Sequence, residues 1–159
     1  MANPEIILVP LTVPEASWAN RKTRIFSLGE PRPEAMEAHN ICLAIQEKVS
    51  ALLKPGVRPS EIFELVYDEI VIPKNFKLNF MGFGGNRVRF LGHGIGLVLD
   101  EFPAIAKKID YPLKENMVIA VEPKKGLEGI GLVGIENTFL VTSKGGERLT
   151  PGSDEITIL

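Results

Sequence analysis

Cysteine is nearly missing from this chain: Cys42 is the single one among 159 residues, which excludes an internal disulfide framework. Set inside a helical pattern, Cys42 reads as a small buried apolar group. Long apolar runs are also missing. No stretch approaches the roughly 18 to 20 residues a membrane-spanning helix needs, and Pro4 and Glu5 near the start leave no basic region of the kind that opens a secretory signal. An excess of one charge is lacking too. The 18 lysines and arginines against 20 aspartates and glutamates give a net charge of −2, which offers no attractive field to phosphate backbones or anionic lipid. The expectation is a soluble, cytoplasmic protein with no nucleic-acid and no membrane partner. Internal repeats, low-complexity tracts and charged tails are absent. What is present is 45 % hydrophobic residues, enough for one core, so residues 1–159 read as a single domain.

Patterning along the chain sets the order of elements. Ile6-Ile7-Leu8-Val9 is a β-branched run expected to form a buried strand, stopped by Pro10 because proline removes a ladder donor. A second extended stretch runs from Thr23 to Leu28, and Gly29-Glu30-Pro31-Arg32-Pro33 breaks it. From Pro33 to Leu53 the apolar residues Ala38, Ile41, Ile45, Val49 and Leu52 recur at helical spacing, and Pro55-Gly56 ends the pattern. Ser60 is the expected cap of a second helix carrying Ile62, Val66 and Ile70, which must stop before Pro73. Beyond it lies glycine-punctuated β structure: Phe80 to Gly85, Phe90 to Leu99, Met117 to Glu122 and Leu132 to Thr142. A strand, two helices and then a run of strands is an α+β order.

Few residues here can do chemistry. Of the two histidines, His39 lies in the first helix pattern and is expected on a wet face. His93 lies in Gly92-His93-Gly94-Ile95-Gly96, where the glycines let backbone approach the imidazole; alone, it reads either as a satisfied core group or as a metal ligand. Glu122 ends the apolar run Met117 to Val121, and Glu136 sits inside Leu132 to Val141. An unpaired carboxylate in a segment patterned for burial costs several kcal/mol. Its partner is a divalent metal, a cationic side chain or a proton, unless the residue points to solvent from an edge strand.

Three segments, Phe90-Leu91-Gly92-His93-Gly94-Ile95-Gly96-Leu97, Met117 to Pro123, and Gly134-Ile135-Glu136-Asn137-Thr138-Phe139-Leu140-Val141-Thr142, resemble successive metal-site segments of the pita-bread metallopeptidases of M24 type. Thr23 to Pro31 and Leu53 to Val57 are similar to the matching family segments, so the likeness runs from Ile6 to Pro151 and favours the Xaa-Pro dipeptidase (prolidase) branch. The resemblance implies a truncated pita-bread fold, a curved antiparallel sheet backed by helices, forming the C-terminal part of the catalytic domain. It implies hydrolysis of peptide bonds before proline by metal-activated water, on proline-containing peptides or dipeptides. It also implies a pair of Mn, Co or Zn ions, with His93, Glu122 and Glu136 as the metal ligands present and Glu122 as the catalytic proton shuttle.

The same resemblance exposes departures. Counting back from Thr23-Arg24, the two aspartate ligand positions fall on Arg21 and Pro10. Proline offers only a carbonyl and arginine a permanent cation, so neither holds a metal. Arg89 and Asp100 replace two histidines of the family pattern, and Gly134 replaces a substrate-binding arginine. The expectation is an incomplete or inactive peptidase with a single ion or none, in which Arg21 neutralises Glu122 and Glu136. The alternative is a non-catalytic peptide- or protein-binding module on the same fold. A homodimer or partner subunit is expected to cover the half-shell, since an open sheet edge and apolar face otherwise remain.

Overall fold

A computed structural model describes residues 6–15 and 18–159, with side chains for all of these except 11–15 and 18–20. Two long strands come first, β1 (Ile6–Glu15) and β2 (Trp18–Ser27), followed by helices α1 (Pro33–Leu52) and α2 (Pro59–Val66). Eight short strands then follow: β3 (Phe90–Gly94), β4 (Glu101–Ala106), β5 (Val118–Val121), β6 (Lys124–Leu127), β7 (Gly131–Gly134), β8 (Asn137–Thr142), β9 (Gly145–Arg148) and β10 (Thr157–Ile158). They form sheets in the orders β1-β2-β10, β4-β3-β5-β8-β9 and β6-β7, with β10 the one parallel partner. A bridge between Thr23 and Glu136 joins the first sheet to the junction of β7 and β8. The result is the expected α+β architecture of antiparallel sheets backed by helices.

The helical stripe behaves as its spacing predicts. Ala38, Ile41, Cys42, Ile45 and Val49 of α1 are buried, together with Ile25, Ile119, Val133 and Ile135 from the strands. The Cys42 thiol is pushed well above its ordinary range by burial, consistent with a packing role.

Five details differ from the sequence reading. First, β1 continues through Pro10 to Glu15. Pro10 faces Thr23, whose N–H and carbonyl both point the other way, to Glu136, so no ladder donor is required of position 10 on this edge strand. Second, α2 starts two residues earlier than Ser60 implies: Arg58 is the N-cap, Pro59 takes the first helical position, and the Glu61 carboxylate accepts the Arg58 backbone N–H at 3.3 Å. Ser60 instead donates to Asp110. A π-helical turn, Tyr67–Val71, carries the helix on and still stops it before Pro73.

Third, Phe80 to Gly85 is a turn rather than a strand, because Met81, Gly82 and Gly84 adopt left-handed backbone at φ 65, 124 and 41. Fourth, the stretch from Leu132 to Thr142 is two strands in different sheets, broken at Ile135-Glu136, and β3 ends at Gly94, short of Leu99. Fifth, His39 is buried, at 3 % exposure. The segment around Asp154 folds over the helix, and the Asp154 carbonyl lies 2.7 Å from His39 Nε2, a contact between residues too distant in sequence for periodicity to reveal.

Candidate functional site

The backbone ladder brings the three motif residues together. His93 on β3 lies opposite Ala120 of β5, and the Glu122 N–H donates to the Leu91 carbonyl at 2.8 Å, which sets Glu122 at the end of the neighbouring strand. The Ile135 N–H donates to the Pro123 carbonyl at 3.1 Å, and the Thr23 N–H to the Glu136 carbonyl at 3.0 Å, so Glu136 sits between β5 and β2. This close lateral packing requires glycine at position 92: a Cβ there meets the Ala120 carbonyl oxygen at 2.3 Å.

Strand alternation then selects the opposite wall. Arg21 and Thr23 are two apart on β2 and share a face, and Pro10, as the cross-strand partner of Thr23, presents to the same face. Pro10, Arg21, Thr23, Glu122, Lys124 and Glu136 consequently line one small pocket of about 120 Å³. Both positions where the resemblance expects aspartates are therefore in the pocket with the two glutamates.

The electrostatics of this pocket are cation against carboxylate. Glu136, 2 % exposed, accepts a hydrogen bond from Thr23 Oγ1 at 2.6 Å on Oε2, and its Oε1 lies 3.5 Å from Arg21 Nε. Burial pushes the Glu136 carboxyl above the usual carboxylate range, with the Thr23 hydrogen bond opposing and nearby Glu122 reinforcing that shift. Glu122 accepts an ion-paired hydrogen bond from Lys124 Nζ on Oε2, and its Oε1 stands 3.9 Å from His93 Nε2. The buried His93 ring fixes Nδ1 against the Gly94 carbonyl at 2.9 Å, leaving Nε2 toward Glu122 and Asp100, the latter at 3.2 Å. Asp100 also lies 3.9 Å from Arg21 Nη1, so it stands between His93 and Arg21. Among the possibilities left open for the two glutamates, neither points to solvent from an edge; a cationic side chain accompanies each.

A second buried network holds the glutamate in register. Arg24 donates from Nη1 to the carbonyls of Thr23 and Glu136 at 2.8 and 3.0 Å, and from Nη2 to Asn137 Oδ1 at 2.9 Å. Asn137 also donates to Gln46 of α1, and Asp154 pairs with Arg24 at 3.0 Å, so helix, strands and C-terminal segment are tied together next to Glu136. Arg89 and Gly134 take different places. Arg89 is exposed and faces a separate cleft. Gly134 lines the pocket, where a Cβ meets Pro123 O and the Lys124 Cβ at 2.6 Å, so no side chain fits without displacing that backbone.

Lys124 and Thr23 were not singled out from sequence as site residues, although alternation could have found both: Lys124 stands two residues beyond Glu122, and Thr23 two beyond Arg21. Asp100 carried a weaker signal, since its approach to His93 depends on the turn after β3. Among the described residues no group of three or more His, Cys, Asp or Glu is arranged to hold a metal ion. No helix among them is long and apolar enough to cross a membrane.

Comparison with known proteins supports the pattern. The Xaa-Pro dipeptidase of Pyrococcus furiosus is 34 % identical over 134 residues, covering 84 % of this chain and 36 % of that protein. The crystal structure of X-Pro aminopeptidase from Thermotoga maritima superposes with a TM-score of 0.85 at 33 % identity, over 97 % of this chain and 42 % of that one. The prolidase from Pyrococcus horikoshii superposes with a TM-score of 0.83 at 29 % identity, over 95 % and 41 % respectively. The chain thus spans roughly two fifths of these relatives. The sequence signature of metallopeptidase family M24 matches residues 2–143, and with that match and this fold the chain belongs to the pita-bread peptidases of family M24.

Proposed function

We propose that this chain is an Xaa-Pro dipeptidase-like domain whose pocket recognises proline-containing peptides but hydrolyses them slowly or not at all. The observation carrying this reading is the Arg21 guanidinium, 3.5 Å from Glu136 in the pocket that also holds Pro10, Glu122 and Lys124. In the family the divalent metal polarises the scissile carbonyl and lowers the pKa of its water. The residues present do not fit a two-ion centre. Two of five ligand positions carry Pro10 and Arg21, and the remaining carboxylates each have a cationic neighbour that repels a dication. In this reading His93, Glu122 and Glu136 are the inherited metal ligands and Glu122 the inherited proton shuttle, now held by side-chain charge.

The inward cations also favour the binding reading. Arg21 and Lys124 side chains are 22 % and 21 % exposed, so both retain surface from which to meet a peptide carboxylate. We include a second copy of the chain as partner, because Leu97, Val98 and Phe102 stand 90 %, 59 % and 63 % exposed on one turn and strand start. Light scattering on the eluted protein tests that part, and a monomer at every concentration removes it.

The decisive measurement pairs elemental analysis with calorimetric titration and turnover assays of Ala-Pro, with and without added Mn²⁺. The expected result is substoichiometric metal, saturable Ala-Pro binding and no release of proline. Stoichiometric Mn²⁺ with turnover overturns the reading, and absence of binding removes its peptide-recognition half.

A further inference from the structure

Away from the pocket, the surface between α2 and the turn before β3 carries a second concavity of about 690 Å³, within the range that accommodates a small organic ligand. Its floor is apolar and aromatic, built from Phe63, Tyr67, Phe80 and Met81. Phe63 and Tyr67 stack with ring centroids 6.0 Å apart and planes 13° from parallel. Its rim is cationic throughout: Arg87, Arg89, Lys107 and Lys108 line it, and no aspartate or glutamate does.

This concentration of charge runs against the rest of the molecule, whose net charge is −2. It is also unsatisfied. Among the described residues none of these four cations lies within 4.0 Å of a carboxylate, so no acidic side chain offsets their charge within the cleft. One of the four, Lys107, is placed over the aromatic floor, its Nζ 5.4 Å from the Tyr67 ring centre. The backbone supports the arrangement. Lys108 adopts left-handed φ of 65° in the turn after β4, and Met81 and Gly84 do the same in the facing turn, so both lips of the cleft are tight turns.

Unpaired guanidinium and ammonium groups around an aromatic floor select a ligand with concentrated negative charge joined to a flat apolar body. Arginine favours phosphate oxygens for its bidentate geometry, and lysine adds point charge. We propose that this cleft binds a small phosphorylated ligand of the nucleoside diphosphate class, its phosphates on the Arg87, Arg89, Lys107 and Lys108 rim and its ring against Phe63, Phe80 and Met81. The site is separate from the Glu136 pocket and stands whether or not that pocket binds peptide.

Isothermal titration of the full chain with ADP and, separately, with inorganic pyrophosphate tests it, in EDTA so that metal at the other pocket plays no part. ADP is expected to bind with one-to-one stoichiometry, several-fold more tightly than pyrophosphate, and to weaken as salt rises. The double variant Arg87→Glu, Lys107→Glu is expected to weaken ADP binding by about tenfold or more. Lys144→Glu, in the distant β8–β9 turn, is expected to leave it unchanged. Circular dichroism melts confirm that each variant is folded, and the milder Arg87→Gln, Lys107→Gln pair replaces any that is not. The proposal is overturned if ADP does not bind, if pyrophosphate binds as tightly, or if the charge-reversed and Lys144→Glu proteins bind alike.

Discussion

The two walls of the Glu136 pocket have changed very differently relative to what the family resemblance implies. The wall at the end of β5 and the β7–β8 junction carries Glu122 and Glu136, with His93 of β3 beside Glu122 on a ladder so close that glycine is required at position 92. The wall formed by β1 and β2 carries Pro10 and Arg21 on the same face. One side offers anions and the other a cation. A carboxylate in a buried site needs a counter-charge, because an unpaired buried charge is strongly destabilising. Arg21 beside Glu136 and Lys124 beside Glu122 bring a cation near each carboxylate.

If the walls differ for that reason, converting one to match the other gives the largest effect. The double variant Pro10→Asp, Arg21→Asp is expected to gain Mn²⁺ affinity by about a hundredfold or more, read by calorimetry and elemental analysis. Unchanged Mn²⁺ affinity would show that these two positions do not govern metal binding in the pocket.

Removing the compensation alone should be harmful. Arg21→Met keeps an unbranched apolar stem but removes the guanidinium and strands Glu136, and a loss of about 2–4 kcal/mol is expected in urea unfolding at neutral pH. Adding Glu136→Gln in the same chain is expected to restore more than half of that loss; a strictly additive pair of effects would mean that the two groups do not interact.

The anionic wall can be tested for rigidity without touching its charges. Gly92→Ala drives a methyl into the Ala120 carbonyl, and a destabilisation of about 1–3 kcal/mol is expected by thermal and chemical denaturation. An unaffected midpoint would show that β3 and β5 separate easily, and the fixed spacing of His93 and Glu122 would lose its explanation.

The smallest effect concerns the segment that latches the floor. Burial holds the His39 imidazole below its usual range, with the Asp154 carbonyl only partly opposing. Between that lowered value and the unfolded one near 6.5, the unfolded chain binds more protons, so stability rises with pH through this window, falls as pH drops through it, and is level with respect to this group below it. His39→Gln is expected to flatten that slope in urea midpoints measured from pH 5 to 7. An identical slope would assign the acid sensitivity to other groups.

Much of this was legible in the chain itself. The α1 stripe, its arrest at Pro55-Gly56, the glycine-flanked His93 and the two glutamates in apolar runs all follow from local spacing and from the cost of burying charge. The count back from Thr23-Arg24 also placed Arg21 and Pro10 in the pocket. Other features misled because their determinants are not local. Pro10 looked like a strand terminator, yet Thr23 spends its backbone bonds on Glu136. His39 looked wet until the Asp154 segment covered it. The run from Leu132 to Thr142 looked like one strand, yet its halves pair with different neighbours.

The sequence by itself determined which groups this protein has available: one histidine and two glutamates in segments that exclude water, with proline and arginine where further acids are expected. Periodicity and the penalty for unpaired buried charge make that much readable from one chain. Tertiary structure alone decided how the charges are matched. Arg21 reaches Glu136, Lys124 takes Glu122, Asp100 approaches His93, and four cations line one cleft with Phe63 and Tyr67. These outcomes depend on distances of a few ångströms between strands and turns far apart in the chain, and Coulomb interactions in a partly buried site are decided at that scale.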